Sequence, residues 1–141
     1  MAISTVLHQH FRAERAISGD GSTYWVVVNE SFELHIEACA YLAGLRGADR
    51  AYNTERTYAG RIALYLSYCA ANGVDWTRPS LAQLMAMMRW LVDEPLPSRG
   101  RRPDPMPRFR SKGTANAIMG TVGEFLSWCA LQGWVPASVV S

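Results

Sequence analysis

The chain has 141 residues, enough for one ordinary domain that buries roughly 68–70% of its extended surface. With 49% hydrophobic and 18% charged residues, predominant disorder is excluded. The net charge of +2 hides an uneven distribution: residues 1–94 hold 8 basic and 10 acidic groups, residues 95–113 hold 6 and 1, and residues 114–141 hold only Glu124. Thirteen of the 14 cations are Arg, the side chain best shaped for bidentate phosphate or base contacts.

In chain order, Thr5 can cap a short helix reaching Ala16, and Gly19-Asp20-Gly21 makes a turn. Thr23 to Val28 has strong strand propensity, and Phe32 to Ile36 alternates apolar and polar residues. Asn29-Glu30-Ser31 can turn between them, so a β-hairpin of these two segments is expected. A first helix carries Ala38, Tyr41, Leu42 and Leu45 and ends near Gly47. A second runs from about Thr54 to Asn72, capped by Asn53 or Thr54 and stopped by Gly73, with Tyr58, Ile62, Tyr65, Leu66 and Cys69 inward. Ser80 and Gln83 form a capping box for a third, with Leu81, Leu84, Met85, Met88, Leu91 and Val92 inward and Pro95 as its stop. The fourth starts at Thr114 and carries Ile118, Val122, Phe125, Leu126 and Cys129 before Gly133. The fold class is mainly α: four helices preceded by a small β-hairpin.

Catalytic constellations are poorly represented. There is no Walker-type loop, G-x-S-x-G or H-E-x-x-H, and His8, His10 and His35 have no metal-ligand spacing. No catalytic residue, metal, cofactor or small-molecule substrate is expected. Cys39, Cys69 and Cys129 fall within apolar helical patterns and read as buried reduced thiols. No signal peptide or membrane span is evident, which fits a cytoplasmic protein with no membrane partner.

The second and fourth helices share a pattern. Shifting Thr54–Gly73 by 60 positions superposes Thr54/Thr114, Gly60/Gly120, Leu66/Leu126, Ser67/Ser127, Cys69/Cys129, Ala70/Ala130 and Gly73/Gly133. Two core helices with similar caps could produce this, as could a pseudo-repeat with equivalent roles. Gly60 and Gly120 fall mid-helix, where Gly costs about 1 kcal/mol relative to Ala. A close helix crossing or a close ligand backbone would offset that cost.

Between the third and fourth helices, residues 95–112 hold five of the seven prolines and six cations: Arg99, Arg101, Arg102, Arg108, Arg110 and Lys112. Such a loop is a solvated linker or a functional one, and the prolines should keep it extended with its arginines exposed. The two related helices start with phosphate-compatible groups: Asn53, Thr54, Arg56 and Thr57 in one, Lys112, Thr114 and Asn116 in the other. Arg56 and Arg61 lie off the apolar stripe and could reach a groove. Together these features point to double-stranded DNA.

Asn53-Thr54-x-x-Thr57-Tyr58 with Leu64-Tyr65-Leu66-x-x-Cys69 and the Gly73 stop resembles a stretch of the tyrosine recombinases, the phage-integrase family. Gly113-Thr114-Ala115-Asn116 leading to Phe125-Leu126-x-Trp128 and Gly133-Trp134-Val135-Pro136 is similar to the closing helix of the same domain. The resemblance is to the N-terminal core-binding, SAM-like domain and covers roughly Glu37 to Pro136. The hairpin Tyr24–Ile36 looks like the lead-in of some actinobacterial-type members. The implied division is an N-terminal extension over 1–36, a DNA-binding domain over 37–136, and the start of a linker over 137–141. The implied function is to grip a recombination half-site during DNA integration and recombination, with other recombinase protomers as further partners. The family's catalytic Arg, Lys, His-x-x-Arg and Tyr belong to a second domain. This chain holds no H-x-x-R, and its tyrosines all lie between Tyr24 and Tyr68. The alternatives are a protein-interaction module that docks through the hairpin and helices, or an inactive truncated gene product.

Overall fold

The computed structural model describes residues 10–48, 52–97 and 106–139. Its elements are β1 (Phe11–Ile17), β2 (Thr23–Asn29), α1 (Ile36–Gly47), α2 (Tyr52–Asn72), α3 (Leu81–Asp93) and α4 (Lys112–Leu131), then a 3-10 turn at Ala137–Val139. The described chain is mainly helical, with a two-stranded antiparallel hairpin leading into four helices. None of the described helices is long and apolar enough to cross a membrane.

The hairpin differs from the expected one. β2 pairs along its length with β1, in the register Phe11↔Asn29 through Ile17↔Thr23, and meets the expected partner, residues 32–36, at a single bridge. The segment expected to end a helix at Ala16 is a strand, while Thr5 lies outside the described residues. Two local causes decide this pairing. Around the tip, Asp20 accepts hydrogen bonds from the Ser22 N–H and from both the Ser18 and Ser22 hydroxyls, and Gly21 takes a positive φ of 87°. Along β1, Phe11 and Ala13 alternate with Arg12 and Glu14, so packing overrides the helix preference of Ala, Glu and Arg. Residues 33–35 add only a short edge. Leu34 bridges Val28, the Asn29 N–H donates to Glu33 O at 2.9 Å, and the His35 N–H donates to Val27 O at 2.9 Å.

The hairpin belongs to the helical core. Val27 is fully buried in one cluster with Leu42, Ile62, Leu66, Leu91 and Phe125. The Ser67 hydroxyl of α2 accepts from the Phe11 N–H at 2.9 Å and donates to the Phe11 carbonyl at 3.0 Å. Aromatic contacts link the layers: Phe11 meets His35, His35 meets Trp76, and Trp76 stacks on Phe125 at 5.6 Å. From Phe125 the chain of rings continues through Tyr41 and Trp128 to Trp134.

Helix α3 has the expected capping box, with the Ser80 N–H donating to Gln83 Oε1 and the Gln83 N–H to Ser80 Oγ. Its buried face is rotated from the expected one. Met87 and Leu91 are buried and Leu84, Met88 and Val92 are half-buried, whereas Leu81 is 74% exposed and Met85 64% exposed. The apolar arc of the helix is wide, ten of its 13 residues being apolar, so it extends past the buried strip to Leu81 and Met85.

Helices α2 and α4 start and stop at equivalent places. α2 begins at Tyr52, which puts Asn53 and Thr54 inside its first turn rather than at the cap. α4 begins at Lys112, capped by Ser111 rather than at Thr114. Both end in a left-handed glycine, Gly73 at φ 65° and Gly133 at φ 81°. The following N–H, of Val74 or Trp134, returns to the carbonyl of Cys69 or Cys129. These are two Schellman closures on corresponding residues.

Candidate nucleic-acid interface

The two related helices meet at corresponding positions. Arg61 of α2 donates from Nη1 to Thr121 Oγ1 of α4 at 3.1 Å, and these residues are 60 apart. The Thr121 hydroxyl donates its own proton to Ala117 O at 3.2 Å. Arg61 also lies 6.0 Å from the centre of the Tyr58 ring. Arg61 therefore ties the crossing together and is half-buried there, not extended toward a groove as its sequence position suggested.

Beside this crossing both helices expose a stripe. On α2 it comprises Asn53, Arg56, Thr57 and Gly60; on α4 it comprises Gly113, Asn116, Ala117 and Gly120. Each stripe follows the i, i+3, i+4, i+7 spacing of one helix face. A Cβ placed on Gly60 or Gly120 would meet nothing within 4 Å. A close helix crossing therefore does not explain these glycines. They leave two low, open saddles next to polar groups.

The remaining expected contacts divide into several kinds. Thr54 is half-buried, while Lys112 and Thr114 are exposed at the start of α4. The Ser111 side chain engages both the Thr114 N–H, at 3.0 Å, and the Thr114 hydroxyl, at 3.1 Å. Arg110 is a correction: its side chain is only 14% exposed. It donates to Leu91 O at 3.2 Å and Glu94 Oε2 at 3.5 Å and lies over the Trp90 ring. Its charge closes the C-terminal end of α3. Arg108 donates to Pro97 O at 2.6 Å, so the two sides of the loop are joined at their base. Arg99, Arg101 and Arg102 lie outside the described residues.

A second group was missed from sequence. Glu55, only 2% exposed, pairs with Arg46 at the end of α1 and accepts from the Trp25 backbone N–H at 2.7 Å. Arg46 lies over the Tyr24 ring, Arg56 over the Trp25 ring at 5.7 Å, and Tyr52 is 6.0 Å from Trp25. β2, the end of α1 and the start of α2 are thus tied at one point, which sets the position of Arg56. A lone acid in a polar segment carries no sequence mark of burial. Its partner on β2 depends on the strand register.

The environment of the three thiols disfavours the thiolate. Burial pushes Cys69 and Cys129 up to about 12 and raises Cys39 as well, so all three are held as protonated thiols. Among the described residues no group of His, Cys, Asp and Glu is arranged to hold a metal ion. Set against known proteins, the chain matches no protein-family model, no curated protein and no solved structure.

Proposed function

We propose that this chain is a non-catalytic, cytoplasmic module that binds double-stranded DNA. It would use α2 and α4 in the manner of the SAM-like core-binding domain of tyrosine recombinases, in support of DNA integration and recombination. The observation that carries the reading is the matched pair of open stripes beside the Arg61–Thr121 crossing. Helix faces with small and amide-bearing residues allow close approach of a nucleic-acid backbone, and Asn and Arg supply donors to phosphates and base edges. Lys112 and Arg108 add charge near the start of α4.

Fluorescence anisotropy with a labelled duplex tests the proposal. The expected result is micromolar or tighter binding whose affinity falls steeply as salt rises. Replacing Arg56 and Asn116 with Ala should remove most of that binding, whereas replacing Arg99, Arg101 and Arg102 should mainly flatten the salt dependence. No duplex binding at low salt rejects the reading.

The segment 32–36 favours a second reading as a protein-docking edge. Phe32, Leu34 and Ile36 are 69%, 51% and 64% exposed, and the bridge geometry turns the Leu34 N–H and carbonyl away from β2. An unpaired edge of this kind accepts an added strand. Sedimentation showing stable self-association without DNA affinity would favour it.

A further inference from the structure

The strand register brings one more cation to the start of α2. Arg15 sits directly across from Trp25, and directly opposed residues of an antiparallel pair project from the same sheet face. That face also carries Phe11, Ala13 and Val27 against the helices, and at its end Arg15 is exposed. Arg56 lies over the ring of the same Trp25. Glu55, beside Arg56 in sequence, is already paired with Arg46 and with the Trp25 N–H. Glu14 lies on the opposite sheet face and is paired with Arg12 at 2.7 Å. Among the described residues, Arg15 and Arg56 are thus two cations flanking Trp25, one across the strand pair and one over the ring, with no carboxylate shown bonded to either.

We infer that Arg15, directly across the sheet from the Trp25 that Arg56 lies over, extends the α2 stripe at Arg56 into a further contact for a phosphodiester backbone on the hairpin side of the α2–α4 face. The inference rests on the duplex-binding reading and extends it to a part of the chain outside the two related helices. Stacking on the indole restricts the Arg56 guanidinium while leaving its N–H edge available for phosphate oxygens. The Glu55 bond to Trp25 holds the platform in place, so little side-chain freedom is lost on binding. Arg56 and Gly60 are separated by roughly 6 Å along the helix axis, at about 1.5 Å per residue. A single backbone can therefore touch this contact and the α2 stripe together.

The test uses the whole chain and a duplex longer than its footprint. Affinity is measured across a salt series, and hydroxyl-radical footprints are compared. Arg15→Ala should reduce the magnitude of the log K against log salt slope by about 1 and erase protection at one end of the footprint. Arg15→Lys should restore the slope. Arg56→Gln, read in the same way, should remove protection at the same end. Thermal melting of each variant confirms that the fold is retained. Wild-type slope and wild-type footprint in Arg15→Ala overturn the hairpin contact whatever Arg56→Gln does, and leave the duplex-binding reading standing. Absence of duplex binding by the wild-type chain overturns both.

Discussion

A carboxylate removed from water needs its charge compensated and its lone pairs filled, and Glu55 achieves both through Arg46 and the Trp25 N–H. Breaking a buried pair is costly because the surviving partner is left behind, although Arg46 keeps about a third of its side chain in solvent. Glu55→Ala should therefore cost about 2–3 kcal/mol, less than a fully buried pair would, as read by urea unfolding. His35 offers a second residue-level test. Its Nδ1 accepts the Ala38 N–H at 3.2 Å as the cap of α1, which requires an unprotonated Nδ1. Burial holds its pKa below the ordinary value, against the opposing pull of Glu37. As pH falls, the unfolded chain takes up this proton first, so the stabilisation is present above about pH 6.5 and lost below it. The urea midpoint should drop between about pH 7 and pH 5, with a shallower fall in His35→Asn, which caps without titrating.

The four glycines at matched positions of the two related helices separate into two physical classes. Gly73 and Gly133 have positive φ and close the Schellman ends, so an Ala at either is strained. Gly60 and Gly120 are ordinary helix residues facing open space. Gly60→Ala and Gly120→Ala should each stabilise the chain by about 0.5–1 kcal/mol, whereas Gly73→Ala and Gly133→Ala should destabilise it by about 1 kcal/mol. If the open stripes receive DNA, the first pair should also weaken duplex binding while raising the melting temperature. A rise in both stability and affinity would remove these glycines from the interface. The same helices show which elements can be read from sequence. Ser80 with Gln83, Gly73 and Gly133 mark ends by local chemistry that tertiary packing leaves unchanged. Phe11–Ile17 has the composition of a helix, and only its pairing with β2 makes it a strand. The misplaced hairpin concealed Arg15, because its neighbourhood to Trp25 exists only in the true register.

At the scale of the whole molecule, the hairpin, α1, α2 and α4 share one core, with α3 held against it chiefly through Met87 and Leu91. The exposure of the candidate site is partly legible: Asn53, Arg56, Thr57, Lys112, Thr114 and Asn116 read as phosphate-compatible groups at the helix starts and are exposed, whereas Thr54 is half-buried. Arg61 and Arg110 were not legible as they stand, since a cation near a helix crossing or helix end can serve as an internal fastener. Charge counting cannot distinguish a guanidinium bonded to Thr121 or Leu91 from one directed at solvent.

The base of the basic loop has a consequence for how this chain can change. Pro95 bridges Phe109, the Leu96 N–H donates to Arg108 O at 2.7 Å, and Arg108 reaches back to Pro97. The two strands of chain entering and leaving the excursion are thus fastened together before it begins. With its two ends held there, a change in the length of the intervening segment should cost little, about 0.6 kcal/mol of closure entropy per doubling for a flexible chain. Exchanging residues 98–105 for a neutral Gly-Ser segment of equal length should leave the melting temperature within about 2 °C while lowering affinity for any polyanion. If that holds, cationic content between Pro97 and Met106 can be gained, lost or lengthened by insertion while the clasp at its base stays in place.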